Sequence, residues 1–334
     1  MIKTLIVDDS KLARTIIRDF LESDGSFQIV GEAENGIDGI NQAQKLNPDL
    51  ITMDIDMPVM NGLEAIGEIK KLMATAIVVI SANDTARMAY EATVKGALEF
   101  YPKDIITSQM SKQEKDGIIA TLKQIVGFKN RVPHRHIGAS KPAVAPRRID
   151  IAIIAASTGG PKALCQLFGD LPEEFPVPIV LVQHNTSGFD RGFVQWLSGY
   201  TLLAVSLAQE RTIPSKGNIY VAPTDRHLVL DITGFSFDDG EPVNNQKPAA
   251  DVLFKSVAAL YGNSLVSVVL TGMGNDGADG TRYVKQGGGI TIAQDEASSM
   301  IYGMPHAAAE TGCVDLILPL DSIAQQLVYL TKGA

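Results

Sequence analysis

The chain has 334 residues, of which 45% are hydrophobic and 20% charged, a balance typical of globular proteins with substantial cores. Since one core rarely serves more than about 250–300 residues, this length predicts two domains. The formal net charge of −9 divides into −6 over residues 1–127, +6 over 128–148 and −9 over 149–334. Both acidic segments would repel a phosphate backbone, so we expect no nucleic-acid partner.

Cysteine content and hydropathy give expectations about location. Cys165 and Cys313 are too few for a disulfide framework and fit a reducing cytoplasm. The N-terminus enters a strand pattern directly, without the apolar segment of a signal peptide. Apolar runs are far shorter than the roughly 20 residues needed to cross a bilayer. We therefore expect a cytoplasmic protein without membrane insertion.

Short apolar strands alternate with amphipathic helical patterns over residues 1–127. The strand patterns are, in order, TLIVDD, QIVGEAE, DLITMD, AIVVISA and EFYPK. This alternation predicts an α/β domain with a parallel sheet. A last helix is predicted from Ser111, which has capping-box spacing to Glu114, to near Gly127.

A linker is predicted over residues 128–148, where the alternation stops. The segment contains Pro133, Pro142 and Pro146, six Lys or Arg residues and no acidic residue. A second alternation fills residues 149–334, with the strand patterns IDIAIIAA, PIVLVQH, TLLAVSLA, NIYVAP, SLVSVVL and GITIAQ. It predicts a second doubly wound, mostly parallel α/β domain.

Five polar residues of the first domain each follow or end a predicted strand. They are Asp8, Asp9, Asp54, Ser81 and Lys103. The carboxyl ends of parallel strands converge on one crevice, where three carboxylates need a counter-ion and their oxygens suit Mg²⁺. A carboxylate beside Mg²⁺ and an ammonium group can accept a phosphoryl group, and Asp54 is the best-placed nucleophile.

The first domain resembles the two-component receiver family through VDDS, MDIDMPVMNG, GALEF and the strand-end serine and lysine. The resemblance implies a flavodoxin-like five-stranded parallel fold, with Mg²⁺ held near the three aspartates. It implies phosphorylation of Asp54, and Ser81, Tyr101 and Lys103 as switch residues. Family members usually have proline after this lysine, whereas aspartate follows it here.

A candidate serine nucleophile begins the second domain. The segment IAIIAASTGGP predicts a buried strand, a tight turn and a helix that starts near Pro161. Ser157 would lie on that turn, where helix N-terminal amides favour an oxyanion. An ordinary helix cap is the alternative interpretation of this serine.

A serine nucleophile needs a general base. Of the five histidines, two lie in the predicted linker, and His184 ends the strand that follows the Ser157 helix. By the strand-end rule His184 can reach the same crevice, and His227 and His306 are weaker candidates.

The third member of such a site is a carboxylate that orients the imidazole. The segment SLVSVVLTGMGNDGADGT places Asp276 in a glycine-rich turn after a strand. The glycines at 272 and 274 allow close backbone approach, so amides near Met273 can donate hydrogen bonds to an oxyanion. The same turn matches the dinucleotide pattern GxGxxG, with Asp295 lying 18 residues after Gly277. The charge of Asp276 beside a pyrophosphate disfavours that rival.

The second domain looks like the chemotaxis protein-glutamate methylesterases, the CheB family. Six segments occur in the family's order: IAASTGGP, VQHNTSGF, IYVAPTDRHL, PAADVLFKSVA, VVLTGMGNDGADG and IYGMPHAA. The resemblance implies a triad of Ser157, His184 and Asp276, with amides near Met273 at the oxyanion. It implies hydrolysis of glutamate γ-methyl esters on methylated chemoreceptor cytoplasmic domains, with methanol released and no cofactor for the ester reaction.

The resemblance also implies a chemotaxis histidine kinase as phosphodonor, with Mg²⁺ in the receiver domain for phosphorylation. Some family members deamidate receptor glutamine too, and the sequence leaves that activity open. The chain departs from the family's usual residues after His184, around Lys247 and at His306. The alternative is an output domain that only binds a partner, which the presence of all three triad residues disfavours.

Overall fold

A computed structural model describes residues 1–81, 86–106, 110–128, 145 and 147–333. The chain divides into two compact units, Met1–Val132 and Pro133–Ala334. Most of the predicted linker lies outside the described residues, including its three prolines, His134 and His136. Its bounds at residues 128 and 148 therefore stay predictions.

In the described residues of the first unit, a five-stranded parallel sheet is accompanied by five helices. Its strands are β1 (Ile2–Val7), β2 (Phe27–Ala33), β3 (Leu50–Met53), β4 (Ala76–Ser81) and β5 (Glu99–Pro102). Its helices are α1 (Lys11–Glu22), α2 (Gly36–Leu46), α3 (Gly62–Leu72), α4 (Ala86–Lys95) and α5 (Lys112–Phe128). The strand order is β2-β1-β3-β4-β5, and every pairing is parallel. This order is flavodoxin-like, as predicted.

Local sequence signals explain where these helices begin. Ser10, Asn35 and Asn61 each accept an amide hydrogen bond as side-chain N-caps of α1, α2 and α3. At α5 the predicted capping box is present, because Glu114 N–H donates to Ser111 Oγ and Glu114 Oε2 accepts from Ser111 N–H. The helix begins at Lys112, directly after the cap.

The second unit contains a seven-stranded sheet and a separate hairpin. Its strands are β6 (Ile151–Ala156), β7 (Ile179–Gln183), β8 (Ala204–Leu207), β9 (Asn218–Val221), β10 (His227–Asp231), β11 (Gly234–Asp238), β12 (Leu265–Val269), β13 (Ile290–Gln294) and β14 (Leu316–Leu318). Its helices are α6 (Gly160–Gly169), α7 (Asp190–Leu197), α8 (Ala250–Tyr261), α9 (Ala278–Gln286), α10 (Met304–Glu310) and α11 (Leu320–Leu330).

The large sheet has the order β14-β13-β12-β6-β7-β9-β8 with parallel pairings throughout, which confirms the second α/β domain. From β6 the chain builds outward through β7 on one side and later through β12 on the other. The crevice outside the carboxyl ends of β6 and its neighbours is therefore a topological switch point, where such sheets bind ligands. The antiparallel hairpin of β10 and β11 and the short β14 were not predicted.

Within the described residues, no helix combines the length and apolarity that a membrane span needs.

Two glycines of α3 allow a matched test of the first unit. A methyl group at Gly62 would lie 2.0 Å from the Asp54 carbonyl oxygen, whereas at Gly67 it would meet nothing within 4 Å. We expect Gly62→Ala to lower the free energy of unfolding by about 2 kcal/mol or more. Gly67→Ala should raise it by about 0.5–1 kcal/mol, because alanine loses less backbone entropy in a helix. Native-state hydrogen exchange of β3 amides measures both, and equal effects would contradict the packing argument.

Candidate active site and phosphorylation site

An acidic pocket lies at the carboxyl ends of β1 and β3. Oxygen atoms of Asp8, Asp9 and Asp54 lie within 4.8 Å of one another. Asp8 and Asp54 are buried, whereas Asp9 is exposed. The strand-end rule therefore brings together the three carboxylates that the sequence singled out.

Asp54 has a hydrogen-bond partner on each carboxylate oxygen. Its Oδ1 accepts from Ser81 Oγ at 2.9 Å and from Ile55 N–H at 2.8 Å. Its Oδ2 accepts from Lys103 Nζ at 2.6 Å, and the same ammonium lies 2.8 Å from Asp8 Oδ2. Lys103 thus reaches the pocket although aspartate, not proline, follows it.

Among the described residues, the carboxylates of this pocket outnumber the ammonium group that contacts them. Burial raises the pKa of Asp8, and the neighbouring charge of Asp54 adds to that effect against the pull of Lys103. Burial also disfavours the Lys103 ammonium, but its hydrogen bonds to both carboxylates outweigh burial and raise its pKa. Three carboxylates facing one ammonium form a hard, electron-rich oxygen set, which fits Mg²⁺.

Tyr101, the remaining predicted switch residue, pairs with Ile80 in the register of β5 and β4. Its ring is half-buried, and burial raises the pKa of its phenol well above the ordinary value. The hydroxyl hydrogen-bonds Thr121 on α5, so it does not point at Asp54. Of the three predicted switch residues, Ser81 and Lys103 therefore contact the Asp54 carboxylate directly, whereas Tyr101 contacts α5.

Sequence reasoning missed the buried Arg14 of α1. Its guanidinium donates to the carbonyl oxygens of Asp8 at 2.7 Å and Asp9 at 3.3 Å. It also pairs with Glu32 at 2.9 Å and Glu34 at 2.8 Å. These contacts fix the backbone that carries two of the pocket's carboxylates.

In the second unit, Ser157 occupies the turn between β6 and α6. The N-cap of α6 is Gly159, with a φ of 78°, and it makes no side-chain cap hydrogen bond. Ser157 therefore does not act as the helix cap, which removes the alternative interpretation of this serine. A left-handed φ at position 159 favours glycine there.

Thr271, which follows β12, holds this turn in place. Its carbonyl oxygen accepts from Ser157 N–H at 3.0 Å, and its hydroxyl donates to Thr158 O at 3.0 Å. The hydroxyl also accepts from Ile301 N–H at 2.9 Å. One buried threonine thus connects three separate loops around the candidate nucleophile.

His184 follows β7 directly beside this turn. Ala156 and Gln183 are register partners, and His184 N–H donates to Ala156 O at 3.0 Å. The ring Nε2 lies 2.8 Å from Asp276 Oδ2. The ring Nδ1 is buried without a hydrogen-bond partner in the described part of the chain.

Asp276 is 1% exposed and accepts four hydrogen bonds. Besides His184, the donors are the amides of Ala250 at 2.6 Å, Asp251 at 3.0 Å and Gly277 at 3.0 Å. Burial opposes ionisation, but the hydrogen bonds outweigh it and lower the pKa of this carboxyl. An ionised carboxylate only accepts, so Nε2 carries the imidazole proton and Nδ1 carries the lone pair.

The two weaker histidine candidates are engaged elsewhere. His227 is buried, with Nε2 3.0 Å from Glu241 O and Nδ1 accepting from Ala249 N–H at 3.1 Å. His306 is exposed on α10, with its ring edge-on to Tyr302.

The glycine-rich loop after β12 approaches Ser157 closely. A methyl group at Gly272 would lie 2.8 Å from Ser157 Cβ and 2.3 Å from Met304 Sδ. Met273 follows directly and is half-buried. The backbone of this loop is therefore adjacent to the candidate nucleophile, and the role of the Met273 amide stays a prediction.

The dinucleotide interpretation of this loop loses its main support. Asp276 lies inside the loop that would have to hold a pyrophosphate. Its carboxylate accepts a hydrogen bond from the Gly277 amide, which is therefore not free to bind a phosphate oxygen. Asp295, the expected ribose ligand, accepts instead from the backbone and hydroxyl of Ser298.

The first unit is the receiver of a response regulator, and the second is an α/β enzyme unit that groups a serine, a histidine and an aspartate. Residues 4–113 match the response regulator receiver domain family, and residues 152–327 match the CheB methylesterase family. The chain belongs to the CheB methylesterase family.

Relatives cover nearly the whole chain. A protein-glutamate methylesterase/protein-glutamine glutaminase of Pyrococcus abyssi is 39% identical over 98% of this chain and 93% of its own length. A protein of the same name from Clostridium acetobutylicum is 37% identical over 99% and 98%. The crystal structure of the Thermotoga maritima CheB methylesterase catalytic domain, 36% identical, matches 55% of this chain and 100% of that chain with a TM-score of 0.53.

Thr271 allows a test of the support around Ser157. Thr271→Val keeps the side-chain shape but leaves the buried Ile301 N–H and Thr158 O without their partner, so we expect a loss of about 1–3 kcal/mol in the free energy of unfolding. Thr271→Ser retains the hydroxyl and should lose less. Thermal unfolding of the second unit measures the difference, and a valine variant more stable than the serine variant would contradict this account.

Proposed function

We propose that this protein is a cytoplasmic, phosphorylation-regulated methylesterase that hydrolyses glutamate γ-methyl esters on chemoreceptors and so serves chemotactic adaptation. The observation that carries the proposal is the His184–Asp276 pair beside the Ser157 turn, in a chain whose full-length relatives bear the methylesterase name. Ser157, His184 and Asp276 are the proposed catalytic residues.

Acylation begins when Ser157 Oγ attacks the γ-carbonyl carbon and its proton passes to His184 Nδ1. Two observations support this assignment: Nδ1 has no hydrogen-bond partner among the described residues, and Nε2 contacts Asp276. Asp276 then stabilises the imidazolium. The ester C–O bond breaks, the imidazolium protonates the leaving methoxide, and methanol departs from the acyl-Ser157 intermediate.

Deacylation reverses these roles. His184 takes a proton from water, the resulting hydroxide attacks the acyl carbon, and the imidazolium returns a proton to Ser157 Oγ. The products are a glutamate side chain, which ionises at neutral pH, and methanol. In both steps we assign the Met273 amide as a donor to the tetrahedral oxyanion, which the closeness of Gly272 to Ser157 supports.

Glutamine deamidation is a second candidate activity. It is favoured by the relatives' names, which include protein-glutamine glutaminase. The same acyl-Ser157 intermediate would form with ammonia as the leaving group. Ammonia release from a glutamine-containing receptor preparation tests it separately from methanol release.

For regulation, we propose that a chemotaxis histidine kinase phosphorylates Asp54. Asp8, Asp9 and Asp54 would hold Mg²⁺, which neutralises charge on the phosphoryl oxygens. Lys103 and Ser81 already contact the Asp54 carboxylate, so both would respond to the roughly −1.5 to −2 charge that a phosphoryl group adds. The ester reaction needs no cofactor in this scheme.

The triad variants should lose activity with different effects on stability. Ser157→Ala should reduce methanol release from methylated receptor membranes by a factor of about 10³ or more, without a large change in unfolding free energy. Asp276→Asn should abolish activity and also cost about 2–4 kcal/mol, because an amide nitrogen would face buried N–H donors. His306→Ala is the histidine control and should retain hydrolysis. Undiminished turnover by Ser157→Ala would exclude the mechanism.

Removing the receiver tests the sign of regulation. If the unphosphorylated receiver inhibits the enzyme, residues 149–334 alone should hydrolyse ester faster than the resting full-length protein. A small-molecule phosphodonor with Mg²⁺ should activate the full-length protein, and Asp54→Asn should abolish that response. A truncated protein no faster than the resting one would mean that phosphorylation activates positively or recruits the enzyme to its receptor.

A further inference from the structure

Helices α8 and α9 begin side by side, and neither has a side-chain cap of its own. The N-cap residues are Ala249 and Gly277, and neither makes a side-chain cap hydrogen bond. Asp276, which directly precedes the N-cap of α9, accepts instead from the first two amides of α8, those of Ala250 and Asp251. The proposed catalytic carboxylate is therefore also the cap of a neighbouring helix.

The converse contact is made by Asp251. Its Oδ1 accepts from Gly280 N–H of α9 at 2.6 Å, and its Oδ2 accepts from Asn244 Nδ2–H at 2.7 Å. Asp276, near the start of α9, thus caps α8, and Asp251, near the start of α8, caps α9. The helices approach closely at this point, since a methyl group at Gly280 would lie 2.6 Å from Phe254 Cβ.

This crossed capping places two carboxylates in one buried region. Asp251 is 8% exposed, and burial raises its pKa to about 6, against the Gly280 amide and with help from the charges of Asp276 and Asp279. The groups that face Asp251 are these two aspartates, on the α9 side, and Asn244, on the loop before α8. A neutral asparagine would accept from the same amide without burying a second charge.

We propose that Asp251 is a positioning residue for the hydrolytic site, which fixes the start of α9 so that Asp276 points at His184 and which adds negative charge behind that pair. This inference rests on the proposed function. Asp251 touches neither Ser157 nor His184 in the described contacts, so it acts through Asp276. Additional negative charge there favours the imidazolium that forms in the transition state.

The charge and the cap can be separated by two substitutions. Asp251→Asn keeps an oxygen for the Gly280 amide and removes the charge, and the Asn244 side chain can turn its amide oxygen toward the new NH2 group. Asp251→Ala removes both the oxygen and the charge. Asp279→Asn is the matched control, because it removes the same charge from an exposed position at the start of α9.

Stability and activity should respond in opposite directions to Asp251→Asn. The pKa of Asp251 is higher in the folded protein than in the unfolded chain. Its ionisation therefore lowers the free energy of unfolding as the pH rises from 3.8 to about 6. The asparagine variant should therefore be at least as stable as the unchanged protein at pH 8. Its kcat for methanol release should nevertheless fall roughly tenfold with KM within about twofold, and the acid limb of its pH–rate profile should move to lower pH.

Hydrogen exchange provides a readout that does not need activity. In Asp251→Ala, we expect faster exchange of three backbone amides, those of Ala250, residue 251 and Gly280. In Asp251→Asn, the Gly280 amide should be as well protected as in the protein without substitutions. Asp279→Asn should leave exchange, kcat and the acid limb as in the unchanged protein.

The outcomes distinguish this inference from the proposed function. An unchanged protein that releases no methanol overturns the proposed function, whatever the variants do. An active unchanged protein whose Asp251→Asn variant keeps its kcat and pH profile overturns the positioning role. A lower stability of that variant at pH 8 would equally overturn it, since Asp251 would then be an ordinary structural cap.

Discussion

Four N–H groups converge on the Asp276 carboxylate, and the arrangement of the second unit around them depends on the charge they stabilise. Without those donors, burial would favour the protonated carboxyl, which could no longer fix one tautomer of His184. With them, the imidazole proton is confined to Nε2 and the lone pair to the buried Nδ1. The same carboxylate accepts from the first two amides of α8. Asp276 therefore both orients the start of this helix and sets the tautomer of His184.

The two units share a single geometric rule, although their chemistry differs. In each, residues far apart in sequence meet because parallel strands deliver their carboxyl ends to one crevice. In the first unit, this brings Asp54, Ser81 and Lys103 into direct contact. In the second, β6 and β7 place Ser157 beside His184 through neighbouring register positions. Loops at such ends carry function, while the buried strands behind them supply rigidity.

Sequence reasoning succeeded where a residue's surroundings are set by its own strand or helix. Strand periodicity identified both parallel sheets, and capping-box spacing identified the start of α5. It failed where partners come from distant elements. Arg14 is an ordinary helical arginine by pattern, and its burial depends on Glu32 of β2. The three-residue β14 is too short to show a period.

The candidate site shows the same division. The turn and strand ends were predictable, but the local pattern could not decide whether Ser157 caps a helix, because that depends on which residue the backbone selects as N-cap. Asp251 follows two alanines in a typical first helical turn, where an acidic residue needs no explanation beyond the helix dipole. Its partner Gly280 lies 29 residues further along the chain.

Crossed capping also has a consequence for how the sequence can change over evolutionary time. Because the carboxylates at positions 251 and 276 each satisfy the first turn of the other's helix, a substitution at one alters the selective value of residues at the other. We therefore expect the two positions to be coupled, so that the cost of a substitution at one depends on the residue at the other, even though only Asp276 contacts the imidazole. Gly280 belongs to the same constrained set, since any larger side chain there would separate the helices that the pair joins.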